Sequence, residues 1–243
     1  MSLTKVAIIG AGQLGSRHLQ AMALTDIPLS LEVVDPSQES LDTAETRYRE
    51  VPINPLIEGI NFYKKISDLN SNLDIAIIAT TSKMRRAVIE QLLEEKSVKY
   101  LILEKFLFPD LKDYDTVQKL LLKHKVKAWV NCGRRSVSFY RDLKKIFQSE
   151  KNFDMTVSGT KWGLGCNSIH FLDIYAFMSN QNRFETDREY LDKNLIDSKR
   201  SGYIEFTGTL RIKSSKGVLL LVSYANKDGG GRPVIITLQS ENF

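Results

Sequence analysis

The stretch Val6 to Met22, VAIIGAGQLGSRHLQAM, decides how the rest of the chain is read. An apolar run breaks at Gly10, further glycines stand at 12 and 15, and the spacing beyond them turns helical. A G-x-G-x-x-G pattern by itself is weak, but here it sits where a strand-like run meets an amphipathic one, and that context gives each glycine a task. Gly10 permits a tight turn, Gly12 lets the main chain approach a pyrophosphate with no Cβ in the way, and Gly15 lets the helix pack closely on the sheet. The anion would rest on the helix N-terminus, where Gln13 and Leu14 open the helix and both free N–H groups and the macrodipole favour negative charge.

Outward from this stretch, short apolar runs alternate with amphipathic ones. Lys5–Ile9, Ser30–Val34, Leu73–Ala79, Tyr100–Leu103 and Lys127–Asn131 read as strands, several of them nearly continuous in apolar residues, as strands buried on both faces are. Between them, Gln13–Leu24, Ser37–Glu50, Met84–Lys96 and Leu111–Lys125 read as helices, and Phe62–Lys64 as a short extra strand. Strand, helix, strand, helix implies a parallel sheet with right-handed crossovers.

The second half follows another pattern. Phe139–Gln148 and Ile169–Met178 read as helices, Phe153–Ser158 as a strand, and Tyr203–Lys213, Val218–Ala225 and Val234–Gln239 as consecutive strands. The turns SSKG and NKDGGGRP separate those last three in the manner of hairpin connections. The fold class expected is therefore α/β: an N-terminal Rossmann-type parallel sheet with a second, smaller α+β domain containing a mainly antiparallel sheet. The boundaries are 1–130 for the dinucleotide-binding domain and 131–243 for a domain that serves substrate and oligomerisation.

At 243 residues the chain can bury two modest cores, and no apolar run approaches the roughly 18 residues of a membrane span. Only two cysteines occur, Cys132 and Cys166, too few for a disulfide framework, so the setting expected is cytoplasmic. Lysine and arginine balance the acids 17 to 17 over residues 1–130 and exceed them 17 to 12 beyond, so the basic excess lies in the second half. No basic run carries interleaved aromatics, which points to an acidic small molecule or simply a basic surface rather than nucleic acid.

Twenty residues beyond Gly15, the second strand ends in Val33-Val34-Asp35. A carboxylate there accepts hydrogen bonds from an adenosine ribose and repels the 2′-phosphate of NADP, which favours NAD as cofactor. The alternative for Asp35 is a turn residue ahead of Pro36. His18, one turn into the first helix, reads as a packing or surface residue. Cys166 and His170 stand at i and i+4, but no paired ligand motif completes a zinc site and none is expected.

The stretch YLILEKFLF, after a strand ending IAIIATTS, resembles the Glu-Lys-Pro corner of the Gfo/Idh/MocA family of NAD(P)-dependent sugar and cyclitol oxidoreductases. VNCGRRSVSFYRDLKKIF is similar to the basic segment leading into that family's second domain, and WGLGCNSIHFLDIYAFM to its substrate-domain helix. The resemblance implies that Lys105 positions and polarises a substrate hydroxyl and that His170 exchanges its proton. It places Thr80 and Glu104 with Gly10, Gly12, Gln13, Leu14, Gly15 and Asp35 at the cofactor, and Asn167 and Asp173 at the substrate. Arg134 and Arg135 either grip an anionic substrate or serve capping and surface ion pairs. Trp162, beside Lys161, either stacks on a sugar or packs in the core. Arg85 and Arg86 begin the helix after ATTS, where family members often carry a histidine.

The chain departs from the family pattern at Phe106, where proline is usual after the lysine, at Cys166, where aspartate is frequent, and in its shorter second domain. The function implied is an NAD-dependent oxidoreductase acting on a hydroxyl or keto carbon of a sugar or sugar derivative, and the basic second half leaves room for an acidic or nucleotide-linked sugar. The alternative is a non-catalytic NAD-binding regulator or assembly subunit derived from such an enzyme. The expected partners are a sugar-like small molecule and a second copy of the chain through the C-terminal sheet, with neither nucleic acid nor membrane.

Overall fold

The computed structural model describes residues 2–198, 202–225 and 231–242. The chain divides into two compact units, Met1–Asn131 and Cys132–Phe243.

In the first unit β1 (Thr4–Ile9), α1 (Gln13–Met22), β2 (Leu29–Val34), α2 (Gln38–Arg49) and β3 (Ile57–Tyr63) alternate, followed by β4 (Asn72–Ile78), α3 (Ser82–Glu95), β5 (Ser97–Leu103), α4 (Leu111–His124) and β6 (Lys127–Val130). The six strands form one parallel sheet in the order β3-β2-β1-β4-β5-β6. Successive residues of β1 enter opposite layers: Val6 and Ile8 join Leu19, Leu41 and Ala44 on one face, while Ala7 and Ile9 join Ile89, Leu92 and Val117 on the other. Both faces are thus buried, which explains the unbroken apolar run in the sequence. The strand order reverses direction at the β1–β4 pair, and in open α/β sheets the crevice beyond the carboxyl ends at such a point is where ligands bind.

In the second unit α5 (Ser138–Phe147), β7 (Phe153–Thr160) and α6 (Leu164–Ser179) precede β8 (Glu185–Asp187), β9 (Leu191–Asp197), β10 (Ile204–Ser214), β11 (Gly217–Tyr224) and β12 (Ile235–Ser240). The sheet runs β12-β7-β11-β10-β8, with β9 also paired to β10. Its pairings are antiparallel except β7 with β11. Phe153, Met155 and Val157 alternate inward with Leu219 and Leu221 against Phe171, Ile174, Tyr175 and Met178 of α6. The Tyr175 hydroxyl meets the Ser214 hydroxyl at 3.2 Å, so even this fully buried ring keeps its polar end paired.

Three expectations need correction. The SSKG turn does join an antiparallel pair, β10 and β11, but β12 lies against β7 and not against β11. The second connection is therefore no hairpin, and residues 226–230 of its NKDGGGRP stretch lie outside the described residues. The strand expected at Phe62–Lys64 is the end of a longer one, β3, and α6 begins at Leu164, ahead of the Ile169 start that the apolar pattern gives.

Candidate functional site

The carboxyl ends of β1, β2, β4, β5 and β6 bring Gly10, Asp35, Ala79, Glu104 and Asn131 along one edge of the first sheet. Main-chain bonds fix this edge: Gly10 donates to the Val34 carbonyl at 2.8 Å, Ala79 to Ile9 at 2.8 Å, Glu104 to Ile78 at 3.2 Å and Asn131 to Leu103 at 2.8 Å. Gly10 leaves β1 with φ +98°, and a Cβ there would stand 2.9 Å from the Thr80 main-chain nitrogen. A Cβ on Gly15 would overlap the Gly10 carbonyl, so α1 can seat against β1 only without one. At Gly12 the position a Cβ would take has no atom beyond its chain neighbours within 4 Å.

Gly12 is also the N-cap of α1, with no side-chain cap bond to its first turn. The open space and the uncapped helix end, ahead of Gln13 and Leu14, fit a diphosphate. Gln13 accepts from Arg47 at 2.8 Å, and Arg47 also donates to the Ser16 hydroxyl at 2.6 Å, tying α2 to α1. Leu14 is exposed.

Asp35 is engaged on both oxygens. It accepts from the Ala11 N–H at 2.7 Å and from the Ser37 N–H at 2.9 Å. Each carboxylate oxygen retains a further acceptor site, so the group holds the glycine turn and still fits a ribose hydroxyl.

Glu104 is buried, and its Oε1 meets His18 Nε2 at 2.8 Å and accepts from Asn131 Nδ2 at 2.7 Å. Burial pushes its pKa up, but the bonds from His18 and Asn131, with the His18 charge, outweigh this and hold the carboxyl below its ordinary value. Of the two readings of His18, packing or surface, the half-buried side chain fits the first, and it does more than pack: it reaches from α1 to the end of β5. The sequence holds no local signal for this pairing across 86 residues. Lys105 follows Glu104, half-buried, and its peptide bond to Phe106 is cis.

On the preceding loop the Thr80 carbonyl accepts from Arg85 Nη2 at 2.5 Å, and Nη1 of the same guanidinium donates to the carbonyls of Phe106 at 2.5 Å and Leu107 at 2.8 Å. Arg86 points elsewhere, to Glu90 and Asp113, each at 2.9 Å.

In the second unit the candidate residues gather on α6. His170 lies half-buried one turn after Cys166. The helix start is held by Glu205 of β10, a buried carboxylate that accepts from the Gly165 N–H at 2.6 Å and the Cys166 N–H at 3.1 Å. Sequence reasoning missed Glu205 because a cap supplied from 39 residues away leaves no local pattern.

Trp162 packs against the core of this unit, edge-on to Phe171 at 5.3 Å, and its indole N–H donates to the Val222 carbonyl at 2.8 Å. Asn167 Nδ2 donates to the Trp162 carbonyl at 2.8 Å. Arg135 forms an ion pair with Asp173, donating from Nε at 2.8 Å and also from Nη2, while Arg134 lies over the Phe171 ring at 4.6 Å. Of the two uses considered for these arginines, the ion pair is the one Arg135 makes.

Among the described residues no group of three or more His, Cys, Asp or Glu is placed to hold a metal ion, and no helix is long and apolar enough to cross a membrane.

A parallel sheet in this order, with a glycine turn, an uncapped helix end and an acidic residue closing the second strand, defines a dinucleotide-binding α/β protein. More specifically, the chain belongs to the Gfo/Idh/MocA oxidoreductase family, whose NAD-binding Rossmann profile matches residues 4–132. Solved structures agree in fold. Myo-inositol dehydrogenase from Lactobacillus casei, determined with NAD(H) and myo-inositol, is 15% identical, with a TM-score of 0.70 over 99% of this chain and 72% of that one. An oxidoreductase from Agrobacterium radiobacter, in complex with NAD+, L-tartaric acid and magnesium, is 18% identical, with a TM-score of 0.69 over 98% and 72%. The super-repressor mutant of Gal80p from Saccharomyces cerevisiae is 14% identical, with a TM-score of 0.70 over 99% and 72%. None of the curated proteins matches the chain.

Proposed function

We propose that the protein is an NAD-dependent dehydrogenase or reductase acting on a CH–OH or keto carbon of a sugar-like or polyol substrate. The observation that carries this reading is Lys105 at the carboxyl end of β5, beside an anchored Glu104 and on the same sheet edge as the glycine turn. Gly10, Gly12, Gln13, Leu14, Gly15, Asp35, Thr80 and Glu104 form the cofactor side. Asp35 selects NAD over NADP, because a second negative charge on the ribose would face its carboxylate.

Bound nicotinamide supplies a carbon that exchanges hydride with the substrate. The Lys105 ammonium donates to the substrate oxygen and stabilises negative charge as it develops there. The His170 imidazole takes the hydroxyl proton in oxidation and returns it in reduction, a role suited to a group with an ordinary pKa of about 6.5. Asn167 and Trp162 shape the substrate side of α6, and the Arg135–Asp173 pair and Arg134 brace it. An acidic or nucleotide-linked sugar accords with the basic second half.

The likeness to inositol dehydrogenases supports a polyol substrate. The likeness to Gal80p, together with Cys166 where the family often has aspartate, favours as second reading a regulator that binds NAD without turnover. Absorbance at 340 nm with NAD and a panel of polyols and sugar acids separates the two. Loss of about a hundredfold or more in kcat for Lys105→Met and for His170→Ala supports the first reading. Near-parental rates in both variants remove those assignments.

The same proposal includes a homo-oligomer formed through the second sheet, in a cytoplasmic setting that accords with Cys132 and Cys166 standing outside any disulfide. Val218, Leu220 and Val222 of β11 alternate with the inward Leu219 and Leu221 and so face away from the α6 core, with Tyr224 and Ile235 exposed. A partly exposed apolar face of this kind suits a second copy of the chain. Light scattering tests this. A dimer that Leu220→Lys converts to monomer is expected, and a parent chain that is monomeric at high concentration contradicts it.

A further inference from the structure

Arg85 is a charged side chain at 2% exposure, and burying a guanidinium is costly unless its N–H groups are bonded. Here the bonds go to main-chain carbonyls on two separate loops: Thr80 after β4, and Phe106 and Leu107 after β5. β4 and β5 are neighbours, in register from Asn72 with Ser97 to Ile78 with Leu103, so the guanidinium bridges the gap just past their carboxyl ends. On the other side of Lys105, the Glu104 carboxylate is anchored by His18 and Asn131. The main chain around Lys105 is therefore held from both directions, at residue 104 through a side chain and at residues 106 and 107 through carbonyls.

We infer that Arg85 is a positioning residue that fixes the backbone of Lys105 and couples it to the Thr80 loop, so that seating a dinucleotide at Thr80 stiffens the lysine corner. The coupling rests on the oxidoreductase reading given above, whereas the clamp itself does not. A guanidinium suits the task because its planar fork of five donors reaches several acceptors in a fixed geometry. A lysine ammonium in its place keeps the charge and a shorter reach, and a methionine keeps only the apolar stem.

The test is amide hydrogen exchange of the full chain, read by mass spectrometry for residues 105–108, in the parent, Arg85→Lys and Arg85→Met, each with and without NADH. In Arg85→Met, exchange at 105–108 is expected to accelerate by about tenfold or more, with β7 and β11 unchanged, and NADH affinity to fall by roughly fivefold. Arg85→Lys is expected to fall between the two. NADH is expected to slow exchange at 105–108 in the parent and to lose that effect in Arg85→Met.

Exchange at 105–108 within about twofold of the parent in Arg85→Met overturns the inference, as does an equal rise across both sheets, which marks general loosening. Should Arg85→Met fail to fold, Arg85→Lys decides alone: a folded variant with parental exchange at 105–108 overturns the clamp. A parent that does not bind NADH defeats the oxidoreductase reading and the coupling, while the ligand-free comparison still decides the clamp.

Discussion

At Asn131, one side-chain N–H is spent on a buried carboxylate. Glu104 has a depressed pKa in the folded chain, so the stability it contributes is fully present above its unfolded value and is lost as pH falls through the folded one. Removing the Asn131 donor raises the folded value toward the ordinary range. Asn131→Ala is therefore expected to lose about 1.5–3 kcal/mol at neutral pH, since the bond is to a charged group. Its acid unfolding should also begin at higher pH than the parent's. Urea titrations across pH 3 to 7 check this, and coincident acid limbs would refute it.

Asp35 differs because its acceptor capacity is shared between the fold and the proposed ribose. Asp35→Ala should loosen the glycine turn, through the lost Ala11 bond, and bring NAD and NADP affinities closer together. Calorimetric titration with both nucleotides reads this, and an undiminished preference for NAD would contradict it. From sequence, Asp35 was legible because its spacing from the glycines is local to one β-α-β unit. The partnership of His18 with Glu104 was not, because it forms only when the middle of α1 meets the end of β5.

Among the elements, legibility followed burial. β1, β2 and β4 are buried on both faces and write long apolar runs into the sequence. β9, LDKNLID, is mostly exposed and has three charged residues among its seven, so neither periodicity nor apolarity marks it, and its pairing with β10 and the packing of Leu191 hold it in place. β12 was legible as a strand but not in its pairing, since adjacency in sequence favours β11 and only the assembled sheet shows that β7 takes it.

The start of α6 was hidden for another reason. Gly165 and Asn167 are poor helix formers, and it is the Glu205 carboxylate that satisfies the N–H groups there. Glu205→Ala is expected to destabilise the second unit by about 2–3 kcal/mol and to fray α6 as far as Cys166, because two N–H groups of the first turn lose a charged acceptor. Chemical denaturation gives the first quantity and hydrogen exchange at residues 164–168 the second. A change below about 0.5 kcal/mol would show that the cap is dispensable.

Across the whole molecule, the two units have separate cores, and the nucleotide features all belong to the first. Ligand binding stabilises what it binds by mass action, about 2.7 kcal/mol at a hundred times the dissociation constant. NAD should therefore raise the unfolding temperature of the first unit, followed through Trp129 fluorescence in a Trp162→Phe background. The central claim is that a dinucleotide lies over the glycine turn, and Gly12 tests it most directly. A Cβ at Gly12 would have no atom beyond its chain neighbours within 4 Å, and its φ of −61° is open to any residue, so Gly12→Val should fold as the parent does. The account predicts that calorimetric titration with NAD shows clear binding to the parent and a loss of about tenfold or more in Gly12→Val, at an unchanged melting temperature. Equal affinity in the two proteins would contradict it.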